Sequence, residues 1–196
     1  MVVQATFPQT RFTFEHYQAL DEDPNRYEVI SGEAYMSPPP TINHEIVVEN
    51  IADALKMYLK QHRLGRVWTG RFALSFPDDP EGWVEPDLMC SSQDLRNDAD
   101  TRFEGVPDLI VEVQSPSTAH YDAVEKQKRY SAAGVPEYWL VSLRERTVTV
   151  LWKPRDEAYQ AQTRYGFDET LSSTAVPDFA MSVEEIFSGV RWDRIL

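Results

Sequence analysis

The segment VPDLIVEVQSPS, Val106 to Ser117, constrains this chain more than any other. Alternation puts Leu109, Val111 and Val113 on one face of a strand and Asp108, Ile110, Glu112 and Gln114 on the other. A nearly continuous apolar run of this kind belongs inside a sheet covered on both faces. The chain must therefore supply cover for two faces, which points to a mixed α/β domain with a sheet flanked by helices. Glu112, in the middle of that run, is costly unless something compensates its charge. From this strand alone, a metal ion and a buried Arg or Lys are equal alternatives.

A second acid lies upstream. In Val84-Glu85-Pro86-Asp87-Leu88-Met89, Asp87 stands between apolar residues just after a proline. One reading makes it a turn carboxylate that bonds nearby backbone amides, common chemistry for Asp after Pro. The other places its strand beside that of Glu112, so that two carboxylates converge. Such an oxygen-rich pair suits Mg²⁺, which takes one or two carboxylates and keeps several waters. Composition agrees with a cation-collecting chain: 19 Lys and Arg face 32 Asp and Glu, a net charge of −13. That field repels polyanions at long range and argues against a non-specific DNA coat protein. The one cysteine, Cys90, excludes an intrachain disulfide and a cysteine-based zinc cluster. The opening MVVQATFPQT lacks the order of a signal peptide, and no apolar run approaches the ~20 residues that span a bilayer. The expectation is a soluble, cytoplasmic protein with no membrane partner, folded as a single domain over 1–196.

Around these acids the other elements fall into place. Thr13 caps a short helix through about Leu20. Tyr27–Ile30 and Glu33–Met36 flank Ser31–Gly32 as a hairpin. Thr41 or Asn43 starts a longer helix whose apolar face carries His44, Val48, Ile51, Leu55 and Tyr58, with Glu45, Glu49, Lys56 and Lys60 on the wet face. Val67–Phe76 reads as a strand, Asp78–Gly82 as a turn, Trp83–Cys90 as a second strand and 91–105 as a loop. Ser115–Thr118 caps a helix from about Tyr121 to Ala133, stopped by Gly134 and Pro136. Glu137–Val141 and Thr147–Trp152 form another hairpin, Tyr159–Arg164 a further strand. Ser182 and Glu185 have capping-box spacing before a short helix.

Pro86-Asp87, twenty-four intervening residues and then Glu112-Val113-Gln114 resemble the PD-(D/E)XK nuclease motif, with Gln in place of the usual lysine. The ordered series PDLIVEVQSPST, then Asp122, Lys126 and Tyr130 at four-residue steps, then GVPEYWLV, is similar to the Uma-two family of restriction endonuclease-like proteins in that superfamily. Upstream, RYEVISGEAYMSPPPTINHEIV matches the family's strand, Gly turn, Pro-rich loop and His-led helix. The resemblance covers about residues 12–155. It implies a restriction-endonuclease-like core, a central mixed β-sheet flanked by helices, with extra N-terminal and C-terminal hairpins. It also implies Mg²⁺ (or Mn²⁺) held by Asp87 and Glu112, with DNA as substrate. Gln114 would complete or orient the metal shell, and Lys126 would be a migrated lysine that stabilises developing negative charge.

Bland readings stand beside these. Asp122 and Lys126 have the spacing of a surface ion pair. Tyr130 reads as a packing residue with a hydroxyl tether, and His44 as a satisfied core histidine or a support for the site. Asp108 lies about 13 Å along the strand from Glu112, at the site margin. Arg63, Arg66, Arg71, Lys128 and Arg129 are the basic candidates for meeting phosphate. Apolar surface in the C-terminal hairpins suggests a homodimer. No G-x-S-x-G, Walker A or G-x-G-x-x-G motif supports other enzyme classes. The expected activity is metal-dependent phosphodiester hydrolysis of DNA by an endonuclease. The alternatives are a catalytically inactive interaction module on the same fold and a nuclease acting on RNA.

Overall fold

The computed structural model describes residues 3–4, 12–18, 25–30, 32–70, 72–98, 102–114 and 119–194. The N-terminal part contains β1 (Val3–Gln4), α1 (Phe14–Gln18), the hairpin β2 (Arg26–Ile30) and β3 (Glu33–Ser37), and the long α2 (Ile42–His62). Then come β4 (Arg66–Thr69), β5 (Ala73–Phe76), β6 (Asp79–Val84), β7 (Leu88–Ser91), β8 (Arg96–Asp98), β9 (Arg102–Glu104) and β10 (Leu109–Gln114). A helical stretch follows: α3 (Ala119–Tyr121), a π-helical turn over Asp122–Lys126, and α4 (Gln127–Ala132). The chain ends with β11 (Glu137–Ser142), β12 (Thr147–Arg155), β13 (Ala158–Tyr165), β14 (Thr170–Ser172), β15 (Ala180–Ser182), α5 (Val183–Ile186) and a 3₁₀ turn at Trp192–Arg194.

One six-stranded sheet runs β13-β12-β11-β10-β7-β4, and a seven-stranded sheet runs β1-β3-β2-β6-β5-β9-β8. Strands β10 and β11 are parallel, Leu109 opposite Glu137 and Val113 opposite Val141. A parallel pair needs a crossover, which the α3–α4 stretch supplies. The alternation of β10 sorts its residues as expected. Leu109, Val111 and Val113 pack with Trp139, Val141 and the buried stripe Val47, Val48, Ile51, Leu55 and Leu59 of α2. Ile110 faces the opposite way and packs with Tyr130, Tyr138, Met89, Phe76 and Leu74. The apolar side chains of the segment from β14 to α5, among them Leu171, Phe179, Val183 and Ile186, close the α2 side.

Several local signals act as expected. Thr13 Oγ1 accepts from the His16 amide at 3.3 Å. Thr41 rather than Asn43 caps α2, accepting from the His44 amide; Asn43 instead bonds the Arg191 backbone in both directions. Gly134, at φ 81°, ends α4 in the left-handed conformation while the Val135 amide reaches back to the Tyr130 carbonyl at 3.0 Å. The Ser182–Glu185 capping box is formed.

Other expectations need correction. Val67–Phe76 is two strands in different sheets, because Gly70 at φ 104° turns the chain between them. Residues Asp79–Gly82 belong to β6 rather than to a turn. Trp83–Cys90 is interrupted at Glu85-Pro86-Asp87, since proline lacks the amide a ladder needs. The supposed loop 91–105 contains β8 and β9, which extend the second sheet. The helix expected from Tyr121 begins at Ala119 and carries the π turn. The expected end of α1 near Leu20, Ser31 of the hairpin turn and the Ser115–Thr118 cap lie outside the described residues. The exposed large hydrophobics among the described residues are Ile42, Met57 and Val106. None lies in the C-terminal hairpins, where Trp152, Tyr159 and Tyr165 are half-buried. Among the described residues no helix is long and apolar enough to cross a membrane.

Candidate active site

Five parts of the fold converge on one cavity of about 210 Å³. Strand β2 brings Arg26 and Glu28, and the segment after β6 brings Glu85 and Asp87. Strand β10 brings Glu112, α2 brings His44, and the α3–π stretch brings Tyr121, Asp122 and Lys126. Glu112 reaches it because β10 alternates, and Asp87 because β7 pairs antiparallel with β10, Leu88 opposite Val111. Asp87 lies just before β7 rather than within a strand, and its Oδ2 accepts the Val113 amide at 2.9 Å. Asp87 is therefore no local turn carboxylate: the amide it bonds belongs to β10, 26 positions away and next to Glu112.

The ion pairs are nearly enclosed. Lys126 Nζ lies 2.9 Å from Glu112 Oε1, 3.0 Å from Glu28 Oε1 and 3.8 Å from Asp122 Oδ1. Arg26 Nη1 lies 2.7 Å from Asp87 Oδ1, and His44 Nε2 lies 3.0 Å from Asp87 Oδ2. The Tyr130 hydroxyl donates to Glu112 Oε1 at 2.6 Å. The Glu85 amide donates to Glu28 Oε1 at 2.6 Å, and Tyr17 donates its hydroxyl to Glu85. Asp122 and Lys126 are therefore not a surface pair; both are buried, at 3% and 4% exposure. The π turn, a rare element that recurs at functional sites, carries both.

Burial and charge pull these groups apart. Burial raises the Asp87 carboxyl, but His44, Arg26 and Lys126 outweigh it and hold it well below the usual carboxylate range. Burial also raises Glu112; Lys126 opposes this, while Asp87, Asp122 and Glu28 add to it, and the carboxyl stays well above its ordinary value. Burial lowers Lys126, but Glu112, Glu28, Asp122 and Asp87 prevail and keep it protonated. For His44, burial lowers the value and the Asp87 carboxylate more than restores it, so the ring titrates above its normal range. Two neighbouring acids with opposite shifts are a common mark of chemistry.

Five carboxylates line the cavity, those of Glu28, Glu85, Asp87, Glu112 and Asp122, against the permanent cations Arg26 and Lys126. This surplus of buried negative charge is what a divalent cation neutralises, and an all-oxygen donor set suits Mg²⁺ or Mn²⁺. Among the described residues no three His, Cys, Asp or Glu side chains form a ready-made ligand group. The fit therefore rests on two carboxylates, Asp87 and Glu112, a number Mg²⁺ commonly takes from protein.

The remaining expected residues lie elsewhere. Gln114 is half-buried at the end of β10, opposite Ser142, and is not part of the cavity wall. Asp108 is also absent from the wall; its Oδ2 accepts the Ser92 amide and so ties down the turn after β7. Arg129 is not a solvated group. It is buried, grips Asp78 with two bonds of 2.9 Å and lies over the Phe76 ring at 4.5 Å. Arg63, Arg66 and Lys128 are exposed, and Arg71 lies outside the described residues. Cys90 is a small buried hydrophobe.

Sequence reasoning missed Arg26, Glu28, Glu85 and Tyr121. For Glu28 a signal was available, because an acid between Tyr27 and Val29 in an apolar strand poses the same problem as Glu112. Tyr121 had no such signal, since an aromatic at a helix start most often packs.

Comparison with solved structures places this geometry in context. The crystal structure titled as a putative nuclease belonging to DUF820, from Anabaena variabilis, superposes with a TM-score of 0.72 at 18% identity, covering 90% of this chain and 98% of that one. At that identity the likeness concerns the fold. No curated protein matches the chain. A family model described as "Uma2: Putative restriction endonuclease" matches residues 14–184. That span takes in the whole six-stranded sheet and every residue of the cavity wall, and the chain therefore belongs to the Uma2 family.

Proposed function

We propose that this protein is a metal-dependent phosphodiesterase that cleaves DNA internally, with Asp87, Glu112 and Lys126 as its reacting constellation. The observation that carries the reading is the convergence of one carboxylate from β10, one from the residue that leads into β7, and one buried ammonium on a single cavity. Asp87 and Glu112 would hold Mg²⁺ or Mn²⁺, which would supply Lewis-acid activation of water and neutralisation of phosphoryl charge. Lys126 presents its ammonium to the negative charge that develops on the phosphoryl group. In this reading it is a migrated lysine, reaching Glu112 from the following helical stretch rather than from two residues after the Glu. Arg26 and His44 orient Asp87 through its two oxygens. Tyr130 orients Glu112. Gln114, outside the wall, has no step in this reading.

The test is cleavage of supercoiled plasmid, single-stranded DNA and RNA by the purified protein with Mg²⁺ or Mn²⁺. Nicking that needs the metal and disappears in Glu112→Ala supports the reading. Identical traces for wild type and Glu112→Ala on all three substrates overturn it, and cleavage confined to RNA reassigns the substrate.

One observation favours a second reading, a non-catalytic interaction module. Both Asp87 oxygens and Glu112 Oε1 already have protein partners, so the cluster can serve as a folding network. The enzyme reading predicts a rise in Tm with added Mg²⁺ or Mn²⁺ that Asp87→Asn abolishes; the module predicts no metal response in either protein.

A further inference from the structure

We propose that the Tyr121 hydroxyl is a ligand-binding donor, placed to hydrogen-bond a non-bridging oxygen of a phosphoryl group that enters the cavity beside Glu112 and Lys126. Tyr121 is the last residue of α3, immediately before the π turn, and only 6% of its surface is exposed. Its hydroxyl is buried and has no hydrogen-bond partner among the described residues. Folded proteins seldom keep such a group, because it has given up water and gained nothing in return.

The neighbouring tyrosine makes the contrast plain. Tyr130 also points its hydroxyl at this cluster, but it is engaged at 2.6 Å by Glu112 and does not line the cavity. Tyr121 lines the cavity together with Glu28, Glu112 and Asp122, any of which is a good acceptor, and its hydroxyl bonds none of them. The ring is held in place, with the Tyr35 ring centroid 4.6 Å away and Lys126 Nζ 5.6 Å from its own centroid. The ring, part of the cavity wall, is therefore fixed near the ammonium that the hydrolytic reading turns toward phosphate, and its hydroxyl is fixed with it. A neutral, fixed donor next to a cation selects an oxygen acceptor with negative charge and three-dimensional spread, the character of a phosphoryl group. The ligand's identity rests on the hydrolytic reading; the readiness of the hydroxyl does not.

The experiment uses Tyr121→Phe, which removes one oxygen and keeps the ring. Thermal denaturation is followed over a series of inorganic phosphate concentrations with Mg²⁺ held constant, and plasmid nicking is measured in parallel. The expected result is an unchanged or higher Tm without phosphate, about three- to tenfold weaker phosphate binding, and nicking reduced by a similar factor. A Tm several degrees lower without phosphate overturns the proposal, since the hydroxyl then holds the fold together. An equal phosphate response in both proteins, or none in the wild type, overturns it as well. Should wild type and Glu112→Ala nick DNA equally while the phosphate response still needs Tyr121, the hydrolytic reading falls and the phosphoryl-binding role of Tyr121 stands.

Discussion

Two buried glutamates stand on opposite faces of the same sheet, and they have been accommodated in opposite ways. Glu137 opens β11 on the α2 side, opposite Leu109, with no exposed surface. Its carboxylate is wrapped by neutral donors: Trp139 Nε1 at 2.6 Å, Ser173 Oγ at 2.7 Å, the Thr174 amide and hydroxyl, and the Ala175 amide at 3.1 Å. Glu112, on the other face of the neighbouring strand, shares one lysine with other acids and lines a cavity. A carboxylate surrounded by neutral donors is a joint; it ties the 173–175 turn to the sheet. A carboxylate crowded by other carboxylates beside an open volume is held at a cost that a ligand can relieve. An acid in an apolar strand is thus no signature of chemistry until its donors are known.

The comparison can be broken by measurement. Its largest expected effect belongs to Glu137→Ala, which leaves an indole, two hydroxyls and two amides without their acceptor. It is expected to lower unfolding free energy by about 3–5 kcal/mol in urea titrations. A loss under about 1 kcal/mol would mean that Glu137 is no joint. Next, Glu112→Gln keeps an acceptor for Lys126 and Tyr130 but removes the charge a metal needs. Metal-dependent DNA nicking is expected to fall at least about a hundredfold, with the urea midpoint little changed. A rate within threefold of wild type, or a collapse in stability, would make Glu112 a joint like Glu137.

A pH series sharpens the contrast. The Glu112 carboxyl is raised in the folded state, so between about pH 4.3, the ordinary glutamate value, and its higher folded value the native state binds the proton more tightly than the unfolded chain. Wild type is therefore expected to lose stability relative to Glu112→Gln as pH rises through that window, by at most about 1.4 kcal/mol per pH unit. Below the window both states are protonated and the difference should be level. A difference that stays level throughout would show Glu112 to be a fully ionised partner of Lys126. The smallest effect is expected from Tyr130→Phe, about 1 kcal/mol in the same titrations, because one hydrogen bond to Glu112 is lost while the ring still packs. No loss at all would leave Glu112 Oε1 supported by Lys126 alone.

How much of this was legible beforehand differs between fold and site. The two-faced β10, the α2 stripe, the Gly134 stop and the Ser182 capping box were all readable, since each depends on residues within a few positions of one another. The breaks at Gly70 and Pro86 were misread because strand propensity on either side hid a change of sheet. Asp87, Glu112 and Lys126 were readable as residues, and the resemblance added their grouping. The cavity wall leaves out Gln114, which the resemblance put at the metal, and Asp108, which strand alternation put at the site margin. Arg129, a basic candidate for meeting phosphate, is locked to Asp78, 51 positions away.

Residue order alone sets features that are periodic and short in range: a buried strand with an acid at its centre, and a lysine one helix later. Which charges face that acid follows from how the elements pack. Arg26 meets Asp87 across 61 positions, and Glu28, far from both Glu112 and Lys126 in sequence, shares Lys126 with Glu112. Backbone alternation orients a side chain within its own strand, whereas the balance of charge in a cavity depends on how separate strands and helices stack. That stacking is set by the apolar faces, which carry no information about the charges on the other side.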